Sequence, residues 1–528
     1  MSEPPILRPG HNCMAVARAT RAAVLIDGEN YFRALARALA QARRSVFIVG
    51  WDIRADLVLE QDEPQCGTLG EILLRQVERA PDLEIHVLIW DWLITYSIER
   101  QPLPGWRFSV DHPRLRLELD DHHPLGGSHH EKMVVIDGSL AFVGGLDLAT
   151  GRYDTRLHRP GDDLRSVQDE EPPKPFHDMM MMVEGPIAAE VQTIAMQRWK
   201  NVTERDPVSC KEHRPLWVDV VEPQWRDVLF AVARTRAPYG QTAKTDEISA
   251  LWLDAVTSAR HHIYLENQYL TYPQVREALR KRLEEVPGLV VLIVTGEVCQ
   301  GFLETAVMDL GRQRFAQALA PFADRCRLVY PEVDGLGITV HSKMLIVDDR
   351  FLMVGSANLA RRSMGLDSET NLAYESIEAD ENIRRLRLDL MAEHLDCSIE
   401  ELDAEEKAGA SLIQMVDAHD NEPRRLLGLG IDLPDLIEGL ELPADLADPP
   451  EPLVSGEVLK VIGTPRARRQ MRVVMARLAG LLGIAGAIVS LTHSHLMTPW
   501  ILLPLSAMLF MAWVAIEPFL RKKPMIAN

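Results

Sequence analysis

The chain has 528 residues, 47% hydrophobic and 25% charged, and its 57 basic and 77 acidic side chains leave a formal net charge of -20. This composition excludes a disordered, collagen-like or disulfide-scaffold protein, and the acidic balance argues against gripping nucleic acid through the overall field. Six scattered cysteines without a Cys-x-x-Cys pair suggest neither a zinc site nor a disulfide framework, and fit a reducing compartment.

The stretch from Met1 to Thr20 has no apolar core, so no secretory signal peptide is expected. Tyr31–Ala42 combines good helix formers with apolar spacings of three and four, and leads into the β-branched run Val46–Val49. Met133–Ile136 and Leu140–Val143 read as paired strands around Asp137-Gly138, and Met179–Met182 as a strand packed on both faces. Further on, the helical pattern of Gln274–Glu285 passes through Pro287-Gly288 into the run Leu289–Thr295. Met344–Val347 and Phe351–Val354 form a second strand pair around Asp348-Asp349-Arg350. Such alternation predicts an α/β fold with buried, largely parallel or mixed sheets.

The last part of the chain differs. Residues 393–451 hold 17 acidic and 3 basic side chains, and read as an acidic helix followed by a loosely structured, solvated linker. No Asp, Glu, Lys or Arg occurs from Leu478 to Ile516, whereas Arg466, Arg468, Arg469, Arg472 and Arg477 precede that stretch and Arg521, Lys522 and Lys523 follow it. The pattern predicts a C-terminal transmembrane helical hairpin with both ends in the cytoplasm. An inner-membrane protein with cytoplasmic catalytic domains and the bilayer as a partner is the resulting expectation.

Segments repeat in the same order about 210 residues apart. Arg44–Trp51 echoes His261–Gln268, Glu84–Trp90 echoes Leu289–Thr295, and His130–Asp137 echoes His341–Asp348. A duplicated domain explains this, with boundaries at 1–205 and 206–392, then the acidic segment 393–458 and the basic-flanked hairpin 459–528.

The third echo carries chemistry. Each copy reads His-x-Lys-x-x-x-x-Asp: His130, Lys132 and Asp137, then His341, Lys343 and Asp348. Small pairs follow, Gly144-Gly145 with Asp147 in the first half and Gly355-Ser356 with Asn358 in the second. A phosphodiester is anionic, so attack on it needs donors on its non-bridging oxygens, which Lys132, Lys343, Ser356 and Asn358 supply. A neutral imidazole attacks phosphorus while a second, protonated imidazole gives a proton to the departing alcohol. Two histidines from a pseudo-twofold pair flanking one phosphate explain the duplication. His122-His123 and His129-His130 lack the acidic ligands and spacing of a defined metal site, so neither metal nor other cofactor is expected. Trp51, Trp90 and Trp92 sit near strand ends, either as core or at an acyl-chain entrance.

These motifs resemble the phospholipase D superfamily, whose members carry two such copies. The resemblance runs from about Pro4 to Glu375 and includes Ile26–Phe32, Ile48–Asp52, Gly151–Asp154, Phe176–Asp178, Glu184–Pro186, Gln197–Trp199, Glu266–Tyr269, Arg362–Met364 and Asp367–Glu369. It implies two similar phospholipase D-type α/β domains, with His130 as nucleophile and His341 as acid/base. Asp178 would orient His130 and Glu369 would orient His341. The motif aspartates Asp137 and Asp348 serve more structurally in such proteins, which suits their place at tight turns. Asp147 departs from the pattern, standing where many members have Asn; it is expected to be a weaker phosphate ligand, which makes phosphate binding in the first half asymmetric.

The implied activity is phospholipase D-type cleavage of a glycerophospholipid through a phosphohistidine, with water or an alcohol as acceptor. A cardiolipin synthase-like phosphatidyl transferase is the close alternative, and a nuclease of the same superfamily a further one, disfavoured by the acidic charge.

Overall fold

Two strand pairs, one per repeat, sit on either side of the motif aspartates and organise the rest. A computed structural model describes residues 4–451, apart from 62, 92–111, 125, 166–173, 209, 211–213, 241, 298–301 and 431–447. In the first half, β1 (Ala15–Ile26), β2 (Ser45–Gly50), β3 (Glu84–Trp90), β4 (Leu115–Asp120), β5 (Met133–Ile136), β6 (Leu140–Gly144) and β7 (Met179–Glu184) form a mixed sheet. Strands β2, β3 and β4 are parallel, and β2–β5–β6–β7–β1 continue antiparallel. The second half repeats the scheme with β8 (Trp225–Arg236), β9 (His262–Asn267), β10 (Val290–Val294), β11 (Cys326–Val333), β12 (Lys343–Val347), β13 (Phe351–Gly355) and β14 (Glu369–Glu375). There β9, β10 and β11 are parallel, and β9–β12–β13–β14–β8 antiparallel. Antiparallel pairing of β1 with β8 makes one continuous sheet of the two.

Strand alternation decides which side chains the halves share. In β5, Met133 and Val135 enter a central core also fed by Met344 and Ile346 of β12, whereas Val134 and Ile136 pack on the first half's own helices. The four methionines of β7 divide likewise, Met179 and Met181 inward, Met180 and Met182 outward. The first half's helices are α1 (Asp27–Leu39) and α2 (Leu69–Arg79), and α3 (Pro186–Thr203) fills the shared core. In the second half α4 (Glu247–Ser258), α5 (Pro273–Glu285) and α6 (Phe302–Leu319) cover the outer face.

Two sequence expectations are corrected. The boundary at 392/393 falls inside α7 (Glu381–Leu395), and the chain continues through α8 (Ile399–Lys407), α9 (Leu412–Ala418) and β15 (Arg424–Gly428), which pairs with β11. The described part of the acidic segment is therefore packed structure, inside the compact unit Met1–Pro452. Its charges meet arginines, two of which lie outside the segment: Arg384 pairs with Asp403 and Glu406 and Arg387 with Glu406, while Arg424 within it pairs with Asp396.

The second correction concerns the membrane. Among the described residues no helix is long and apolar enough to cross one. The longest, α3 and α6 with 18 residues each, carry Glu190, Arg198 and Lys200 in one and Asp309, Arg312 and Arg314 in the other. Residues 459–528, where the hairpin was expected, lie outside the described residues. With no spanning helix to support it, the hairpin is dropped from the fold class, and the inner-membrane location drawn from it goes too.

Candidate active site

Both histidines stand one step ahead of a hairpin, and each is stitched to the opposite half. The His130 N–H donates to the Ser368 carbonyl (3.0 Å), and the His341 N–H to the His177 carbonyl (2.8 Å). Beside the second contact, Phe176–His177 pairs in parallel with Thr339–Val340. The start of β14 therefore lies against the first motif, and the start of β7 against the second.

This stitching reverses the orienting partners expected from sequence. His130 Nδ1 lies 3.0 Å from Glu369 Oε1, and His341 Nδ1 lies 2.7 Å from Asp178 Oδ2. Asp178, just before β7, and Glu369, the first residue of β14, each point to the other half's histidine. With Nδ1–H donating to a carboxylate, each imidazole keeps Nε2 for chemistry.

The lysines are nearly fully buried and held by carbonyls. Lys132 Nζ donates to the His130 carbonyl (3.0 Å), and Lys343 Nζ donates to the His341 carbonyl and to Gln268 Oε1 (3.3 Å). The motif aspartates do something different. Asp137 accepts the backbone N–H groups of Arg43, Arg44 and Ser45, and Asp348 those of Arg260, His261 and His262. Each thereby clamps the entry of the neighbouring strand, with its own backbone at positive φ (50° and 53°) in the hairpin turn. They hold the motif strands in register and do not face the reacting group.

Two assigned phosphate ligands are also corrected. The single Ser356 hydroxyl proton goes to Glu369 Oε2 (2.5 Å), while its oxygen accepts Thr370 N–H (3.1 Å), so Ser356 positions Glu369. Asp147 accepts the N–H groups of Trp51 (2.9 Å) and Asp52 (3.2 Å) and sits 3.4 Å from Lys132 Nζ. Lys132 and Arg152 hold it ionised against burial, and an ionised carboxylate repels phosphate. Asn358 is buried with its Oδ1 unpartnered.

Electrostatics link the halves. Burial pushes His130 well below the usual imidazole range, and Lys132 and Lys343 push it further. Burial lowers His341 likewise, aided by Lys343, Arg152 and Lys132. Each histidine thus feels both lysines, which places all four groups around one spot. Lys343 is itself lowered to about 7, chiefly by burial. Burial raises Glu369 well above the carboxylate range and Asp178 to about 7. Burial thus disfavours charge on every one of these groups, and an imidazolium formed during a reaction would favour the ionised form of the carboxyl that it faces.

Arg152 and Gln268 join the site with no role expected from sequence, although both lie in stretches that carry the resemblance. The Arg152 guanidinium lies 4.8 Å from the Phe176 ring centroid, and that ring is 5.4 Å from the His341 ring. Trp51 stands edge-on to His130 (6.4 Å), stacks on Trp90 (5.6 Å) and lies under Lys132 Nζ (5.9 Å); Trp92 lies outside the described residues.

Residues 122–224 match the family model described as Phospholipase D, and residues 252–386 the one described as Cardiolipin synthase, PLD-like domain. Phospholipase D1 of Saccharomyces cerevisiae is 24% identical over 497 residues, covering 72% of this chain and 29% of the yeast protein. Phospholipase D alpha 1 of Zea mays is 24% identical over 535 residues, covering 70% of this chain and 64% of the maize protein. The chain thus spans less than two thirds of the length of these relatives. A solved phosphatidylserine synthase from Haemophilus influenzae Rd KW20 overlaps 78% of this chain and 88% of its own, with 14% identity and a TM-score of 0.47.

Proposed function

We propose that this chain, a member of the phospholipase D superfamily, cleaves the distal phosphodiester of a glycerophospholipid and passes the phosphatidyl group to water or an alcohol. The observation that carries the reading is the pair of imidazoles, His130 part-buried and His341 buried, each with Nδ1 on a carboxylate and both beside two buried lysines. In the first step His130 Nε2 attacks phosphorus, the bond from phosphorus to the headgroup oxygen breaks, and His341 protonates that oxygen. Lys132, Lys343 and the Asn358 amide stabilise the charge on the non-bridging oxygens. In the second step His341 takes the proton of water or an alcohol, whose oxygen displaces His130 Nε2 and leaves phosphatidate or a new phosphodiester. Glu369 and Asp178 stabilise each imidazole as it becomes positive. Lipid chemistry is favoured by the names of the matching relatives and family models. The match of the second half to a cardiolipin synthase-like model supports a second reading, with another lipid's hydroxyl as acceptor.

Incubating the purified chain with defined phospholipids, with and without glycerol or a primary alcohol, tests both. Phosphatidate in water and a phosphatidyl alcohol in its presence support the first reading. Cardiolipin alone, with no phosphatidate, supports the second, and cleavage of nucleic acid but no lipid refutes both.

A further inference from the structure

Behind Asp178 lies a second, fully buried polar cluster that takes no part in the steps above. It draws Asp27 from the start of α1, His158 from the loop after β6, His177 from the approach to β7, and Glu393 from α7. One donor atom from each lies within 4.8 Å of the others. Glu393 Oε1 is 2.8 Å from His158 Nε2 and 3.0 Å from His177 Nδ1, while Asp27 is 3.2 Å from His177 Nδ1 and 3.6 Å from His158 Nε2. A tetrahedron with metal–ligand bonds of about 2.0–2.1 Å has edges of roughly 3.3–3.4 Å.

The outward-facing nitrogens are held as those of metal-bound histidines are. His158 Nδ1 meets Asp154 (3.0 Å), which Arg165 anchors, and His177 Nε2 meets Glu266 (2.9 Å), which accepts the Tyr264 hydroxyl. Carboxylates there fix ring orientation and raise ligand basicity. The inner side is incompletely satisfied by hydrogen bonds alone. Asp27 is 0% exposed, yet its Oδ2 accepts none and points toward His158 Nε2. Two protons on the imidazoles, with Arg156 Nε 2.7 Å from Glu393 Oε2, offset the inner carboxylates in charge but leave the Asp27 oxygen without a donor. One divalent cation balances the same charge and takes the oxygen as a ligand.

We propose that Asp27, His158, His177 and Glu393 form a closed four-coordinate site for a divalent ion of the zinc class. Two nitrogen and two oxygen donors suit that class, and four protein ligands with no exposure make the site structural. Three ligands come from the first half and one from α7, so the ion ties the two together beside Asp178, with no share in bond making.

Metal analysis of the purified full-length chain by plasma mass spectrometry, after equilibration with zinc and removal of the excess, tests this independently of turnover. One zinc per chain is expected, with tetrahedral cobalt absorption on substitution, a lower Tm after chelation, and loss of the bound metal in His158→Gln and Glu393→Gln. A wild-type chain that retains no zinc and whose Tm ignores a strong chelator overturns the proposal. So does a folded His158→Gln that keeps its zinc. Because wild-type stoichiometry decides first, misfolding of a variant leaves the proposal open to refutation.

Discussion

Glu369 holds His130 across 239 positions of chain, its Oε1 3.0 Å from the imidazole Nδ1. The contact crosses between the duplicated halves, and Asp178 with His341 reproduces it in the other direction. Crossed pairing has a kinetic signature. Glu369→Gln is expected to impair formation of the phosphohistidine on His130, and Asp178→Asn the proton transfers through His341, each by about 10²–10⁴-fold. Rapid-quench measurement of the two half-reactions separates them; impairment in the opposite assignment would show that the partners act within their own halves.

The order of the two histidines is tested by labelling. With a lipid analogue carrying an acidic leaving group, His341→Ala should accumulate labelled phosphoenzyme, because departure no longer needs a proton whereas activation of water still does. His130→Ala should give none and lose at least about 10³-fold in turnover. Label found only in His130→Ala would exchange the roles.

Lys343 predicts a pH dependence. Burial lowers it to about 7, so in the free protein its positive charge is present below pH 7 and lost as pH rises through that value. Affinity for the anionic phosphodiester should therefore fall above pH 7, up to about tenfold per unit. Once bound, the phosphate favours the protonated ammonium, so kcat should vary less than KM. His130, depressed by burial and both lysines, should add no acid limb near its ordinary pKa. A KM independent of pH between 7 and 9 would contradict this picture of Lys343.

The motif aspartates should behave as structural residues. Asp348 accepts three backbone N–H groups, and Asp348→Asn loses a charged acceptor for them, at a cost of about 1–3 kcal/mol in stability. Urea unfolding should show that loss, while turnover per folded molecule at low temperature stays close to wild type. A folded variant that is inactive would instead place Asp348 in the chemistry.

Gly145 is a packing constraint on catalysis. A Cβ there would stand 2.2 Å from Asp178 Oδ1, so Gly145→Ala must displace the carboxylate that holds His341. Destabilisation of about 1–3 kcal/mol is expected, with slowed turnover of the phosphoenzyme. The equivalent position holds Ser356, whose hydroxyl bonds Glu369. The longer carboxylate leaves room for a side chain where the shorter one does not.

Much of the site was legible because its chemistry is local. His-x-Lys puts two side chains on one face of an extended segment, and Asp137 and Asp348 mark hairpin turns by residue type alone. The strands Met133–Ile136 and Phe351–Gly355 announced themselves by β-branched and apolar runs. Ser356 misled, because a hydroxyl beside the motif looks like a phosphate donor until its one proton is traced to Glu369.

The run of acidic residues after 393 misled for a related reason. Its partners, Arg384 and Arg387 in α7 and Arg327 in β11, lie one or more helical turns or a whole strand away, beyond any local count.

The -20 average and the doubled motif were enough to favour phosphoryl chemistry at a duplicated site over nucleic-acid binding, because residue type and spacing dictate what a side chain can donate. Tertiary structure alone decided which carboxylate serves which histidine, and brought Asp27, His158, His177 and Glu393 to one point. Those contacts join residues up to 366 positions apart (Asp27 to Glu393), and the way two sheets pack across a pseudo-twofold axis leaves no trace in the local pattern of either.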